Sequence, residues 1–304
     1  MSVADNAIEA PPVTRPRAPG LALGALGIVG FSFSLPATRL AVADLDPWLV
    51  AFGRATVAAV LAAAYLAATH ARRPTRAQVR SLAIAAAGVV VGFPLFTSIA
   101  LHTETAAHGA VVIAFLPAAT AVAAVVRAGE RPSRRFWLAS GAGLVAVLAF
   151  IAGSEGDAIS RSGPHLADLF LLAATALCAI GYAEGGALSR TLGAANTICW
   201  ALVVSAPVTA VVAATSAATT GLHASTTAWL GFAYVSAISM FLAFFAWYAG
   251  LARGGVARVG QVQLAQPVLT LGWSALVLGE RVTPLTLVTA LAVLGCVAAT
   301  QRAR

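Results

Sequence analysis

Long apolar stretches dominate the chain, and short polar stretches separate them. A helix needs about 20 apolar residues to cross roughly 30 Å of hydrocarbon. The pattern predicts ten segments, numbered here in chain order: 20–42, 48–69, 79–101, 105–126, 135–153, 166–188, 195–217, 227–251, 256–278 and 284–301. Lipid offers no partner to free backbone groups, so we expect an all-α integral membrane bundle of ten transmembrane helices.

Composition supports this interpretation, because 60% of the residues are hydrophobic, 10% are charged and the mean hydropathy is +0.87. A soluble domain carries about 25% charged residues, so this chain has too few charges to cover a surface that faces water. The net charge of +8 does not indicate a nucleic-acid partner. Its arginines form short clusters between apolar segments and no basic face interleaved with aromatic residues. The expected surroundings are a lipid bilayer.

Arginines in the connections predict which way the bundle is oriented. All 19 basic residues are arginines, and 15 of them fall on one side of the predicted bundle. The other side receives Arg39, Arg161 and Arg281, and Arg54 lies inside segment 2. The bias predicts a multi-pass protein of the inner (plasma) membrane with both termini in the cytoplasm. Residues 1–19 are polar and proline-rich, which predicts a disordered cytoplasmic tail rather than a signal peptide.

A Gly-Glu-Arg triplet occurs at 129–131 and again at 279–281, and its two copies are 150 positions apart. In each copy a proline, Pro117 or Pro267, stands 13 residues before the glutamate. The shared offset predicts a duplication, with repeat 1 at 20–153 and repeat 2 at 166–301. Each repeat holds five segments, an odd number, so the second repeat must cross the membrane in the opposite direction. Inverted repeats are common in secondary transporters, whose substrate site lies near the membrane midplane between the halves.

These features together resemble the EamA branch of the drug/metabolite transporter superfamily over about residues 20–301. The resemblance rests on two five-segment repeats, on "WLVAFGR" at the start of segment 2, on a proline within segments 4 and 9, and on "GE" after each. Among the members of that branch, the chain is most similar to aromatic amino-acid exporters of the YddG type. The resemblance implies a central cavity lined by segments 1, 3, 4, 6, 8 and 9, with segments 5 and 10 at the periphery.

Segment 9 carries the first candidates for substrate contact. Gln263, Gln266 and Thr270 are spaced i, i+3 and i+7, so they share one helical face. Pro267 removes the hydrogen bond to the carbonyl of Gln263, which predicts a helix kink with a free carbonyl, and Pro117 predicts a kink in segment 4. The positions 150 residues earlier are Ile113, Leu116 and Thr120. The two amides either contact substrate or join helices by hydrogen bonds.

The other candidates for substrate contact are Ser34, Phe96, Tyr182, Glu184, Trp247 and Tyr248. Each has a structural alternative. An intramembrane carboxylate such as Glu184 is a functional candidate, but it lies near the cytoplasmic end of segment 6 and has Arg190 within reach. Trp247 and Tyr248 either stack on a substrate ring or pack in the core. The hydroxyls of Ser32 and Ser34 precede the Pro36 kink, where nearby glycines also favour close helix contact.

Two further features near the outer ends of segments 4 and 6 have structural alternatives. Glu104 and His108 are spaced i, i+4 and are either a pair that exchanges a proton or exposed residues at a helix start. Asp168 suits the dipole at the start of segment 6, which favours capping.

No catalytic constellation is visible in the sequence. The three cysteines, Cys178, Cys199 and Cys296, stand alone in apolar runs, which predicts neither a metal site nor a disulfide. The chain contains no HExxH, GxSxG or P-loop motif and no paired intramembrane aspartates, so we expect no enzyme, no cofactor and no ATP-driven pump. A repeated carbonyl filter or a charged ring, as in channels, is also missing.

We therefore expect a secondary transporter that exports small neutral metabolites by alternating access through a central cavity. Aromatic or other apolar amino acids are the favoured substrates, because the candidate residues offer amides, hydroxyls and rings but few fixed charges. The alternative is an exporter of drugs or other metabolites, ahead of an intramembrane enzyme or a channel. The sequence leaves the exact substrate, the coupling ion and the oligomeric state open.

Overall fold

The computed structural model describes residues 18–128, 133–153, 164–254 and 259–303, which form helices joined by short connections, with no β-strand among them. Residues 1–17 of the predicted tail, the first Gly-Glu-Arg triplet and residues 256–258 of segment 9 lie outside the described residues. Helices occupy the ten predicted segments with these bounds: Ala18–Ser32 and Ser34–Ala41, Pro47–Ala68, Arg76–Thr103, Ala106–Ile113 and Leu116–Ala128, Arg134–Gly153, Pro164–Leu192, Ala194–Thr220, Thr226–Arg253, Gly260–Leu264 and Ala265–Leu278, and Pro284–Arg302.

The surface of this bundle is apolar enough to face lipid. Among the described residues, seven helical segments are long and apolar enough to cross a membrane, namely segments 1–4 and 6–8. Segments 9 and 10 contain shorter apolar helices. Large apolar side chains stand on the outside, such as Leu276, which is 81% exposed, and Val60, which is 66% exposed. Extensive exposed apolar surface is unfavourable in water, so the structure has the all-helical membrane character that the sequence predicts.

Prolines interrupt three of the segments. The regular helix ends or tightens three residues before each proline: at Phe33 before Pro36, at Ala114 before Pro117, and at Leu264 before Pro267. Proline lacks an N–H and its ring crowds the preceding turn, so the α-helical ladder cannot run through these positions. The carbonyl of Gln263 is not free, however, because the N–H of Ala265 donates to it within the 3₁₀ turn. The prediction of a free carbonyl at Gln263 is therefore wrong, because the helix narrows to a 3₁₀ turn before Pro267 and does not open into a kink.

Positions 150 residues apart share their local structure. Thr75 and Ser225 each begin a helix and accept a hydrogen bond from the backbone N–H three residues later. The hydroxyls of Ser133 and Thr283 accept equivalent hydrogen bonds at the start of segments 5 and 10. Segments 3 and 8 both contain a π-helical stretch, Ala86–Gly92 and Tyr234–Leu242. The two halves thus repeat the same caps and irregular turns, as a duplicated sequence should.

The halves pack against each other along several helix pairs. Segment 2 lies against segment 7, segment 1 against segment 8, and segment 5 mainly against segment 10. Segments 1 and 8 approach closely because glycines face the contact. A Cβ atom on Gly27 would lie 2.9 Å from the backbone nitrogen of Trp247, and one on Gly250 would lie 2.6 Å from the nitrogen of Gly24. This confirms that the glycines of segment 1 permit close helix contact.

Candidate functional site

A cleft opens between segments 1, 4 and 9, where the interrupted helices meet. Its lining consists of Leu35, Ala110, Ile113, Leu116, Pro117, Gln263, Gln266, Pro267 and Thr270. The space between these side chains is about 280 Å³, of which only about 10 Å³ admits the centre of a water molecule. That is room for about one water, so a metabolite needs the cleft to widen. Segments 3, 6 and 8, which the family resemblance implies as lining, contribute none of these residues in this conformation.

Equivalent positions of the two repeats line the cleft together. Three pairs with the 150-residue offset line it: Ile113 with Gln263, Leu116 with Gln266, and Pro117 with Pro267. The cleft therefore lies where the two repeats meet in equivalent ways. Its two walls differ chemically, because segment 4 presents aliphatic side chains and segment 9 presents amides.

The two amides have unused hydrogen-bonding groups. Gln263 is 4% exposed, and its Nε2 is buried without a partner. The Oε1 of Gln266 is also buried without a partner. Buried polar atoms are nearly always hydrogen-bonded in proteins, and leaving one unpaired is costly. A donor and an acceptor at one cleft are therefore available to a ligand that has both kinds of group.

Hydrogen bonds hold segment 9 against segment 1 beside the cleft. The hydroxyl of Thr270 lies 2.7 Å from the carbonyl oxygen of Ser32, the carbonyl that Pro36 leaves without its helical partner. The Trp273 indole donates to the Ser32 hydroxyl at 3.1 Å, and this hydroxyl donates to Val29 at 2.8 Å. These bonds fix the face of segment 9 that carries the amides.

Ser34 joins segment 1 to segment 8, since its hydroxyl lies 2.7 Å from that of Ser239. Phe96 stacks on Phe170 with ring centroids 5.6 Å apart. Neither Ser34 nor Phe96 lines the cleft. Both stay candidates for substrate contact only in a conformation in which the cleft is wider.

Three other candidates fall into one aromatic cluster. This cluster consists of Phe31, Tyr182, Phe244, Trp247 and Tyr248. The Tyr182 ring lies 6.1 Å from that of Phe244 and 6.2 Å from that of Trp247. Trp247 and Tyr248 are 2% and 1% exposed. Phe31 precedes Leu35 of the cleft by four residues in segment 1, on the other side of the interruption at Phe33. The cluster thus lies between the cleft and the predicted cytoplasmic end of the bundle.

Glu184 pairs with Arg127 at that same end. Both oxygens of the carboxylate accept from the guanidinium, one of them from Nη2 at 3.1 Å. The Glu184 side chain is 9% exposed and that of Arg127 is 49% exposed. The partner is therefore Arg127 of segment 4 and not Arg190, and the ion pair joins the two repeats. Glu184 is not part of the cleft lining in this conformation.

At the opposite end, a carboxylate of repeat 2 holds the start of segment 4. Glu280, in the second Gly-Glu-Arg triplet, accepts from the backbone N–H of Ala106 at 2.9 Å and from that of Ala107 at 2.8 Å. A helix N-terminus has free N–H groups and a positive dipole end, which suit a carboxylate. The glutamate thus links the loop after segment 9 to the beginning of segment 4.

Further hydrogen bonds at this end also join the repeats. Asp44 accepts from the backbone of Ser225 at 2.9 Å, and Asp46 lies 2.6 Å from the Ser216 hydroxyl. Hydrogen bonds from the side chain and the backbone of Ser225 lower the pKa of Asp44. Asp44 therefore remains an ionised acceptor at neutral pH.

His108 and Asp168 form a pair that the sequence did not indicate. The Nε2 of His108 lies 2.6 Å from Oδ1 of Asp168. Pairing of His108 with Glu104 is wrong, because Thr105 begins a new helix and leaves Glu104 outside it. Asp168 does not cap segment 6, whose helix begins earlier, at Pro164. The spacing rule applies only within one continuous helix.

Sequence reasoning found the glutamines and prolines of the cleft but missed the contacts between distant segments. The sequence did contain a signal for the Glu280 contact, because the repeated Gly-Glu-Arg triplet places a carboxylate near the start of a helix. The three cysteines form no disulfide. Within the described ranges, no three His, Cys, Asp or Glu side chains come together as metal ligands.

Comparisons with known proteins agree with this architecture. The sequence profile of the EamA-like transporter family matches residues 18–152 and 165–300. The uncharacterized transporter YdeK of Bacillus subtilis (strain 168) is 44% identical over 281 residues, which covers 92% of this chain and 96% of YdeK. A solved crystal structure of another protein superimposes with a TM-score of 0.67 at 16% identity, over 94% of this chain and 99% of that one. That last similarity concerns the fold alone.

Proposed function

Because the chain belongs to the EamA-like transporter family, we propose that it exports small neutral metabolites, with aromatic or other apolar amino acids as substrates. Family membership makes the chain a membrane transporter and not an enzyme, as the absence of catalytic motifs predicts. Since the sequence contains no P-loop, the proposed mechanism is secondary transport, without ATP hydrolysis by this chain.

The observation that carries the proposed substrate class is the pair of unpartnered amides in the cleft. An amino-acid headgroup has both a donor, the ammonium, and an acceptor, the carboxylate. The free Oε1 of Gln266 suits the first, and the free Nε2 of Gln263 suits the second. Six of the nine lining residues are apolar and suit an apolar side chain. Ligand sites commonly combine such walls with a few polar groups.

The proposed architecture is two inverted repeats of five transmembrane helices each, at 20–153 and 166–301, with both termini in the cytoplasm. Helices in all ten intervals and the equal local structure at an offset of 150 support it. The cleft between equivalent positions of the two repeats supports a substrate site at the repeat interface, as in other inverted-repeat transporters.

Contacts that join the repeats on both sides of the cleft support alternating access as the proposed mechanism. The aromatic cluster and the Arg127–Glu184 ion pair close the predicted cytoplasmic side. The bonds of Glu280, Asp44, Asp46 and Asp168 close the other side. Opening to one side requires breaking that side's contacts while the opposite set holds. The structure, with room for about one water in the cleft, corresponds to a closed state in this scheme.

Efflux from vesicles tests the proposed function. Purified protein in liposomes loaded with radiolabelled phenylalanine should release the label faster than empty liposomes, with no ATP present. Unlabelled tyrosine and tryptophan should compete. If nucleotide phosphates or acidic sugars compete better than aromatic amino acids, the proposed substrate class is wrong.

The apolar lining also favours a second candidate, an exporter of drugs or other apolar compounds. The same liposomes distinguish the two. Competition by uncharged apolar drugs that lack an amino-acid headgroup, with no competition by tyrosine, would favour this second function.

A further inference from the structure

Arg54 is a buried cation with no anionic partner among the described residues. It lies in the helix Pro47–Ala68, about 10 Å along the axis from the helix start. The residue is 2% exposed. Its Nη1 lies 3.3 Å from the Thr38 hydroxyl, and its Nε is buried without a partner. Neither of the two ion pairs among the described residues includes Arg54, so no described carboxylate lies within 4.0 Å of it.

The helix around Arg54 supplies no polar group that compensates for this charge. Val50 and Ala58, one turn before and after it, are both 0% exposed. A guanidinium is always protonated and has five N–H donors. A charged group inside a membrane protein faces a partner or a polar cavity, and it marks a functional site by default. The donors of Arg54 thus suit an anion that the described part of the chain does not provide.

Thr38, the partner of Arg54, lies about one helical turn from the cleft lining along segment 1. Thr38 is 1% exposed and lies three residues after Leu35, a lining residue, on the same side of segment 1. This spacing corresponds to a rise of about 4.5 Å along the helix. Phe31 of the aromatic cluster lies four residues before Leu35, in the preceding helix of segment 1. Along segment 1, the contact with the aromatic cluster, the cleft that contains the amides and the contact with Arg54 therefore follow one another.

We propose that Arg54, held by Thr38, binds the carboxylate of the transported amino acid during its passage from the cleft to the outside. This inference rests on the proposed function and names the residue that selects substrates with a carboxylate. Guanidinium groups bind carboxylates through two parallel hydrogen bonds, which lysine cannot reproduce. The amides of Gln263 and Gln266 then bind the headgroup in the cleft, and Arg54 binds it one turn further out.

Binding of a simple carboxylate tests the Arg54 site without any assumption about transport. The melting temperature of the purified full-length protein is measured with benzoate and with benzamide, which has nearly the same shape and no charge. A ligand that binds the folded state raises the melting temperature. Benzoate should raise that of the wild type more than benzamide does, and Arg54→Gln should remove the difference. Arg39→Gln is the control, because Arg39 already donates to the carbonyls of Leu101 and His102.

Transport competition then tests the role of the site in selectivity. In wild-type liposomes, phenylalanine should compete more strongly than phenylalaninamide by roughly 10- to 150-fold, the usual effect of losing a hydrogen bond to a charged group. Arg54→Lys should reduce this ratio, Arg54→Gln should bring it near one, and Thr38→Val should lower it in part. The affinity for the amide should stay unchanged, whereas a merely structural role of Arg54 would weaken both compounds equally.

The outcomes separate this inference from the proposed function. Equal effects of benzoate and benzamide on the wild type would overturn the Arg54 site, whether or not phenylalanine is transported. So would equal competition by phenylalanine and its amide. A benzoate effect that depends on Arg54, with no phenylalanine transport, would keep the anion site and overturn the amino-acid substrate. The wild-type comparisons stay decisive if the Arg54 variants fail to fold.

Discussion

Segments 4 and 9 occupy equivalent positions in the two halves, yet only segment 9 presents polar side chains to the cleft. Both contain a proline in the middle, Pro117 or Pro267, and an irregular turn three residues before it. Both carry a threonine three residues after the proline that donates to the carbonyl four residues earlier. Their backbones therefore follow the same design, which points to a shared mechanical role.

The side chains that face the cleft differ. Ile113 and Leu116 of segment 4 stand opposite Gln263 and Gln266 of segment 9. Two halves that exchange conformations need similar packing, so packing residues should be alike in both. A substrate with its polar groups at one end needs polar partners on one wall only. The comparison teaches that, in the proposed transporter, the equal positions belong to the scaffold and the unequal positions are the candidates for substrate contact.

The largest expected effect concerns the inverted relation of the two halves. Arg134 and Arg281 are exposed and lie just before segment 5 and just before segment 10. Arg134→Cys should react with a membrane-impermeant thiol reagent from the cytoplasmic side only, and Arg281→Cys from the outside only. The parent for both variants is Cys296→Ser, which is also the unlabelled control, because Cys178 and Cys199 are buried and Cys296 is partly exposed. Labelling of both new cysteines from the same side would contradict the opposite orientation of the two halves in the membrane.

The next effect concerns Glu280, which holds the start of segment 4. Glu280→Gln removes the charge and leaves one oxygen to accept from two N–H groups. Hydrogen bonds to charged groups contribute about 1.5–3 kcal/mol, so the amides of Ala106 and Ala107 should exchange hydrogen roughly 10- to 150-fold faster. Hydrogen–deuterium exchange with mass spectrometry measures this on peptides that contain both residues.

Glu104→Gln is the matched control for Glu280, because Glu104 lies near the same helix start and its side chain makes no hydrogen bond among the described residues. Its exchange rates should equal those of the wild type. Equal acceleration in both variants would mean that overall charge, and not the contact with the helix start, protects these amides.

A smaller effect separates the two equivalent threonines. The Thr270 hydroxyl shares its proton between the carbonyls of Gln266 in its own helix and Ser32 of segment 1, whereas the Thr120 hydroxyl has one acceptor among the described residues, the carbonyl of Leu116 in its own helix. Thr270→Val should lower the free energy of unfolding by about 1–3 kcal/mol, since it leaves the buried Ser32 carbonyl unpaired. Thr120→Val should change it by less than about 1 kcal/mol. Thermal melting in detergent compares the two, and equal losses would contradict the proposed role of the Ser32 contact.

Much of the fold was predictable because a helix that spans the membrane needs a long apolar segment, and such segments are visible directly in the sequence. The bounds of segment 2, predicted as 48–69 and found as Pro47–Ala68, differ by one residue. The offset of 150 predicted the equivalent positions of Pro117 and Pro267 and the chemical contrast between Ile113 and Gln263. Periodicity placed the two glutamines and Thr270 on one face, and all three line the cleft.

The contacts between distant segments were not predictable from local spacing. Glu184 pairs with Arg127 and not with Arg190, which is closer in sequence. The packing of segment 6 on segment 4 decides which guanidinium lies within reach of the carboxylate. His108 finds Asp168, 60 positions away, for the same reason. Trp247 and Tyr248 were recognisable as aromatic candidates, but their complete burial depends on how segments 1, 6 and 8 meet. Such pairings belong to the tertiary structure, and a helical period contains no information about them.

The central claim is that the amides of segment 9 bind the substrate, and four substitutions test it most directly. Transport of phenylalanine is measured in liposomes at matched protein content for Gln263→Leu, Gln266→Leu, Ile113→Leu and Leu116→Ile. Each glutamine variant should lose roughly 5- to 150-fold in affinity, equivalent to about 1–3 kcal/mol for one hydrogen bond to a buried group. The two variants in segment 4 keep an aliphatic side chain and should transport like the wild type. Equal transport by all four would show that the amides only join helices, and would contradict a binding site on segment 9.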